Sequence, residues 1–295
     1  MKEPKSYIRT LVVGDIHGNL KAFKEALHKC DYNPEEDKII FIGDLVDGGP
    51  ESIELLIYIY QYIGDFILVS GNHEDLATPF LEDLVDDGEV AYNCNTLNQS
   101  LQVVWLNNGG QATTKSFFAC AYSKFNKLFP KFSNSIEKSN EFENTNDLNI
   151  FRKVAIANIC LGIIRKGVSW YIESDKLFIH GGFDPILPIE AQNDTVLKND
   201  RDMIYSLCEA AASDRISPLE NTDYTKYESI FIGHTCTQHL ASLRCFKDVK
   251  IDKTMPLNIY NVWDIDTGAG NIGGKLTIMD IKTKQYWQSD AVKTN

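Results

Sequence analysis

The feature that most constrains this 295-residue chain is a pattern repeated along it: a short apolar strand ending in a residue that can bind a metal or move a proton. "LVVGD" leads to Asp15 and His17, "IIFIGD" to Asp44, and "FILVSGNH" to Asn72 and His73. "KLFIH" ends in His180 and "SIFIGH" in His234. In sheets whose strands are joined by helices, ligands collect outside the carboxyl ends of the strands. The glycine that usually precedes the polar residue lets the backbone turn sharply and approach a ligand closely. One strand-end histidine on its own reads as a satisfied core residue, but five coincident strand ends require a common cause. Of the six histidines, four lie at these ends, whereas His28 on a helix and His239 beyond the last motif read as surface or core-filling.

The first half alternates strand and helix. "YIRTLVV", "KIIFI" and "DFILVS" read as strands, and "NLKAFKEALHKC" and "ESIELLIYIYQY" as the helices between them, with Pro50 suited to a first helical turn. Such spacing implies parallel pairing through right-handed crossovers. From about 75 to 170 the alternation gives way to helical stretches, "LEDLVDDGE" and "SLQVVWLNN", and a polar segment, "SNSIEKSNEFENTNDLN", expected as a surface loop in an inserted helical cap. Beyond it, "KLFIH", "SIFIGH", "IYNVWDID" and "KLTIMDI" follow more closely and predict a partly antiparallel sheet from the second half. No linker splits the chain, so residues 1–295 are expected to form a single domain.

Composition narrows the function. A formal charge of −12 opposes general binding to nucleic acid or anionic membrane, although metal in a cleft can reverse the local field for an anionic substrate. No apolar run reaches the roughly 18 residues of a membrane span, and the N-terminus lacks the apolar core of a secretory signal. The seven cysteines, at 30, 94, 120, 160, 208, 236 and 245, are odd in number and without CxxC spacing. They are expected to be reduced thiols in a cytoplasmic protein, with neither a disulfide framework nor a thiolate zinc site.

The strand-end residues are imidazoles, carboxylates and one amide. Oxygen and nitrogen ligands suit Mn²⁺, with Fe or Zn²⁺ as alternatives. They are too many for one tetrahedral ion, and two divalent ions sharing Asp44 use them better. Such a pair clamps the attacking and leaving oxygens of an in-line phosphoryl displacement.

"GDIHGN", "GDLVDGG", "GNHE", "HGG" and "GHT", in this order over roughly residues 11 to 235, resemble the motifs of the calcineurin-like metallophosphoesterases. They are more similar still to the phosphoprotein phosphatase branch. "WLNNGGQAT" and "DTGAGNIGGKLTIMDI" also resemble the compact bacterial and phage lambda-type serine/threonine phosphatases. The resemblance implies an α/β fold with a central β-sandwich of mixed sheets flanked by helices. It implies that Asp15, His17 and Asp44 hold one metal, and Asp44, Asn72, His180 and His234 the other. Asn72 would also meet the substrate phosphate. His73 would protonate the leaving alkoxide, oriented by Asp47, for which a helix cap is the alternative. A positioned acid of this kind contributes roughly 10²–10⁴-fold.

One position departs from the pattern: Gly48 stands where the family has an arginine that grips phosphate. Arg201, in "LKNDRDMIYS", is the expected replacement. "GAGNIG" at 268–273 matches a dinucleotide fingerprint but precedes another strand, so it reads as a turn. The leading expectation is a metal-dependent phosphatase that hydrolyses phosphomonoesters of the serine/threonine phosphoprotein type by direct attack of hydroxide held by two metals. The alternatives are a dinucleoside polyphosphate hydrolase and a degenerate metal-binding module without turnover. The expected partners are a phosphorylated protein or a small phosphoester or nucleotide.

Overall fold

The computed structural model describes residues 6–86, 102–130, 145–246 and 249–293. Two five-stranded mixed sheets face each other. One has the order β10-β9-β1-β2-β3 and the other β4-β5-β6-β8-β7. In the first, β1 (Arg9–Val13), β2 (Asp37–Phe41) and β3 (Phe66–Leu68) run parallel, joined through α1 (Leu20–Lys29) and α2 (Ser52–Tyr62). In the second, β5 (Lys176–Ile179), β6 (Ser229–Ile232) and β8 (Val262–Asp264) are parallel. They are flanked by antiparallel β4 (Trp170–Glu173) and β7 (Leu257–Ile259).

Alternation along the central strands explains the sandwich. Val12, Ile40, Phe178 and Phe231 point into the layer between the sheets, where the two phenylalanine rings stack at 5.0 Å. Their neighbours Leu11, Val13, Ile39 and Phe41 pack outward under the first helical layer. Leu177, Ile179, Ile230 and Ile232 do the same under the second, formed by α6 (Asp194–Asn199), α7 (Asp202–Ala212) and α8 (Thr237–Ser242). Strands buried on both faces must be apolar throughout, and this is the sequence signal that located them. Lys38 on β2 reaches across to Tyr171 and Glu173 on β4, tying the sheets together away from the strand ends.

The structure differs from expectation in three places. β9 (Thr277–Asp280), within "KLTIMDI", pairs antiparallel with β1 in the first sheet, with β10 (Tyr286–Gln288) beyond it. Strand spacing says nothing of which open edge a returning strand will take. "IYNVWDID" is a hairpin, β7 turning at Tyr260 into β8, because Tyr260 adopts a φ of +54°. Within the polar segment, residues from 145 onward are already helical, in α5 (Thr145–Ile164), and the rest of that expected loop lies outside the described residues.

The insert does not stand apart. α3 (Asn72–Asp86) packs on α5, and Phe80, Trp105, Phe117 and Ile156 lie in the same buried cluster as Phe23 and Phe41.

Candidate metal centre

All five strand-end motifs converge. β1 delivers Asp15 and His17, β2 delivers Asp44, and β3 leads directly into α3, whose first two residues are Asn72 and His73. His180 follows β5 and His234 follows β6. The Asp44 Oδ2 atom is the hub. It lies 3.3 Å from His180 Nε2, 3.7 Å from His17 Nε2 and 3.9 Å from His73 Nε2. Two groups could hold a metal ion, His17–Asp44–His73 and Asp44–His180–His234, with the ligand atoms of each within 4.8 Å of one another. Both include Asp44, the residue expected to bridge. Asn72 Oδ1 lies 3.3 Å from His180 Nε2.

The backbone around these ligands is strained. His17, Asp44, Asp47 and His234 have φ of +48°, +51°, +69° and +66°, a region that bulky residues avoid. Such conformations persist only where surrounding structure over-determines them, and they concentrate at functional sites. The peptide N–H groups of Ile16 and His17 both donate to Asp44 O, at 3.0 and 2.8 Å, lashing the first two motifs together. The glycines serve close approach: a side chain at Gly71 would overlap Asp44 Oδ1, and one at Gly233 would overlap Asp15 Oδ1.

The imidazoles are oriented from behind. His180 Nδ1 pairs with Ile42 O at 2.6 Å and His17 Nδ1 with Val46 O at 3.3 Å, so each presents Nε2 to the cleft. A carbonyl on one ring nitrogen fixes the tautomer that leaves the other free for a metal. Asp15 is buried; its Oδ2 accepts from His234 N at 3.0 Å, while Oδ1 has no hydrogen-bond partner among the described residues. A buried, unpaired carboxylate oxygen is costly unless a cation meets it. Burial, with Asp266 and Asp44 nearby, pushes Asp15 well above the usual carboxylate range. Burial also pushes Asp44 up, but the surrounding histidines, His180 first, outweigh it and hold this carboxyl well below its ordinary value. Donor types, free ring nitrogens and the orphaned oxygen together fit divalent cations.

Asp47 does not cap α2, whose N-cap is Glu51. Its carboxylate is fully buried and accepts from His73 Nδ1 at 2.9 Å, Trp105 Nε1 at 2.9 Å and Thr113 Oγ1 at 2.6 Å. Burial opposes charge on His73, but Asp44 and then Asp47 outweigh it and raise this imidazole to about 9. Arg201, at the N-cap of α7, lines the same 480 Å³ cleft as His17, Asp44, Asn72, His73 and His234. It is the one arginine or lysine among the described residues of that lining.

Four residues escaped the sequence reading. Asp266 lines the cleft beyond β8, a sixth strand end of the same type, for which "VWDIDTG" was the available signal. His239 is exposed, as a surface reading expects, but its surface is the cleft wall, where Tyr205 OH meets its Nε2 at 3.0 Å. Glu74, fully buried, accepts from the N–H groups of Leu45, Asp44 and Gly71 at 2.7, 2.9 and 2.9 Å, holding two motif loops together. Trp105 comes from the insert, and no local pattern in its helix points to Asp47. The "GAGNIG" stretch is a turn, as expected, with Gly270 and Asn271 on the cleft lining.

Fold and site together define an α/β sandwich that gathers, around one carboxylate at its strand ends, two triads that could hold metal ions. The chain belongs to the calcineurin-like phosphoesterase family, whose model matches residues 8–238, and that family uses divalent metal ions. It is 31% identical over 113 residues to serine/threonine-protein phosphatase 1 of Salmonella typhimurium, a stretch covering 38% of this chain and 44% of that protein. It is 42% identical over 65 residues to the symmetrical bis(5'-nucleosyl)-tetraphosphatase of Pseudomonas entomophila, covering 22% of this chain and 23% of that protein. The chain therefore matches less than half the length of either relative. Among solved structures it is similar to a metallophosphoesterase from Sphaerobacter thermophilus, with a TM-score of 0.47 and 14% identity over 98% of this chain and 90% of that one. Among the described residues, no helix is long and apolar enough to cross a membrane.

Proposed function

We propose that this protein is a metal-dependent phosphatase that hydrolyses phosphomonoesters of the phosphoserine and phosphothreonine type. The observation that carries the reading is the Asp44 carboxylate, shared by two histidine-bearing triads, in one of which His73 is also bonded to the buried Asp47. Asp15, His17 and Asp44 would hold one divalent ion and Asp44, Asn72, His180 and His234 the other, with Mn²⁺ the ion we favour and Fe or Zn²⁺ also suited to nitrogen and oxygen ligands. When bound, such ions supply Lewis acidity toward phosphoryl oxygens and acidify water.

The chain's own residues do the rest. Arg201 and Asn72 bind phosphate oxygens. His73 keeps its Nδ1–H on Asp47 and delivers the Nε2 proton to the departing alkoxide, which is too basic to leave unaided. Asp47, held by Trp105 and Thr113, keeps the ring aimed and charged. Phosphate passes directly to water. Cys236, the one thiol on the described lining, is pushed by burial up to about 11 and is a poor nucleophile. The intact His73–Asp47 pair argues against a degenerate module. The cysteine pattern supports a cytoplasmic location.

A second reading, hydrolysis of dinucleoside polyphosphates, is favoured by the similarity to the Pseudomonas enzyme over 65 residues. Metal-stripped protein is expected to be inert towards p-nitrophenyl phosphate and to recover with Mn²⁺; full activity in chelator would sink the two-metal reading. Phosphoserine peptide assayed beside diadenosine tetraphosphate decides between the substrate classes.

A further inference from the structure

The loop after Asp47 opens the cleft on one side. Gly48 is exposed with a φ of +80°, and a Cβ there would find nothing nearer than His17 Cβ at 3.8 Å. Gly48 N donates to Gly109 O at 3.2 Å, which docks the Leu106–Gly110 segment of the insert alongside. Asn108 of that segment lines the metal cleft, whereas Asn107 and Gly109 line a separate open groove of 730 Å³. Gly48 lines both. The groove runs along α4 (Gln111–Ala119), with Pro50, Leu106 and Ala112 as its apolar wall and Gln111 and Lys115 among its polar residues. Lys115 is the one charged side chain among the described lining residues, in a chain whose formal charge is −12.

We propose that this groove receives the substrate's leaving group, which crosses Gly48 on its way out of the cleft, and that Lys115 selects leaving groups bearing an acidic group. The inference rests on the phosphatase reading above. A glycine at the junction leaves room for a chain to pass, and the apolar wall gives that chain surface to bury. A lone cation on an acidic protein marks where an anion is favoured. Binding energy gathered here, away from the phosphorus, is available to raise turnover of extended substrates above that of small ones.

The test uses the Mn²⁺-loaded protein and four substrates: p-nitrophenyl phosphate, a phosphoserine peptide flanked by glutamates, its glutamine counterpart, and diadenosine tetraphosphate. Lys115→Glu is expected to lower kcat/KM for the acidic peptide about fivefold, the scale of one exposed charge pair, and to leave p-nitrophenyl phosphate and the glutamine peptide unchanged. Ala112→Trp, which fills the groove, is expected to lower both peptides and spare p-nitrophenyl phosphate. Loss with the acidic peptide assigns the anion to acidic side chains; the same loss only with diadenosine tetraphosphate assigns it to a polyphosphate. Hydrolysis that neither variant alters, or alters equally for all four substrates, would overturn the groove while leaving the phosphatase reading standing. No hydrolysis of any substrate by the unaltered protein would overturn both.

Discussion

His73 and His234 belong to the two triads that share Asp44, yet their surroundings push them apart. His73 lies between two carboxylates and is raised to about 9 despite burial. His234 is lowered to about 3, first by burial and then by the charges of His180 and Arg201. At neutral pH one imidazole is a proton donor and the other a neutral ring with a lone pair to offer. The same residue type, at the end of the same kind of strand, is therefore suited to an acid role in one place and a ligand role in the other. The difference lies in surroundings supplied by distant segments: Asp44 and then Asp47, itself held by the insert, in one case, and burial with the charges of His180 and then Arg201 in the other.

The comparison breaks most sharply by substitution. His73→Asn should reduce turnover of alkyl phosphates by roughly 10²–10⁴-fold and of p-nitrophenyl phosphate far less, with metal content unchanged. His234→Asn should instead lower metal content and affect both substrates alike. Equal patterns for the two variants, read by steady-state kinetics and metal analysis, would erase the distinction.

Asp47→Asn is a smaller perturbation. A general acid must be protonated, so activity on alkyl phosphates should fall as pH rises through the His73 pKa. Removing one of its two carboxylate partners should move that limb to lower pH by about 1–3 units. A pH–rate profile unchanged by the substitution would deny Asp47 its electrostatic role. Divalent ions share the charge of Asp44, so NMR titration of His73 should place its pKa lower with Zn²⁺ than in chelator.

Gly48→Arg should have the smallest effect. A clamp on phosphate is worth about 1.5–3 kcal/mol. A side chain at a φ of +80° is strained by about 1–2 kcal/mol in the free and bound protein alike, which lowers stability and not affinity, so the gain is limited instead by the clamp that Arg201 already supplies. Inorganic phosphate inhibition should tighten at most a few-fold; a change of a hundredfold would mean that Arg201 does not serve as the clamp.

Much of the candidate centre was legible because four of its residues sit one to three positions beyond doubly buried strands, and such strands announce themselves as apolar runs. Asp15, Asp44, His180 and His234 could be found one motif at a time. Asp266 followed the same rule and was overlooked because its strand enters through a hairpin that blurs the run. Trp105 could not be found this way, since an indole in an amphipathic helix reads as core until the carboxylate beneath it is seen. His239 likewise gained meaning only from the cleft it faces.

Local sequence determined the strands, the parallel pairing of the first three, and the chemistry waiting at their ends, because burial on both faces leaves a signature within a few residues. Tertiary structure alone decided that β9 returns to the first sheet beside β1, that His17, Asp44 and His234 are held at positive φ, and that the insert grips Asp47. Those outcomes depend on contacts between segments far apart in the chain. No short stretch can encode a contact whose partner lies elsewhere, and the charge on a histidine is set by such partners.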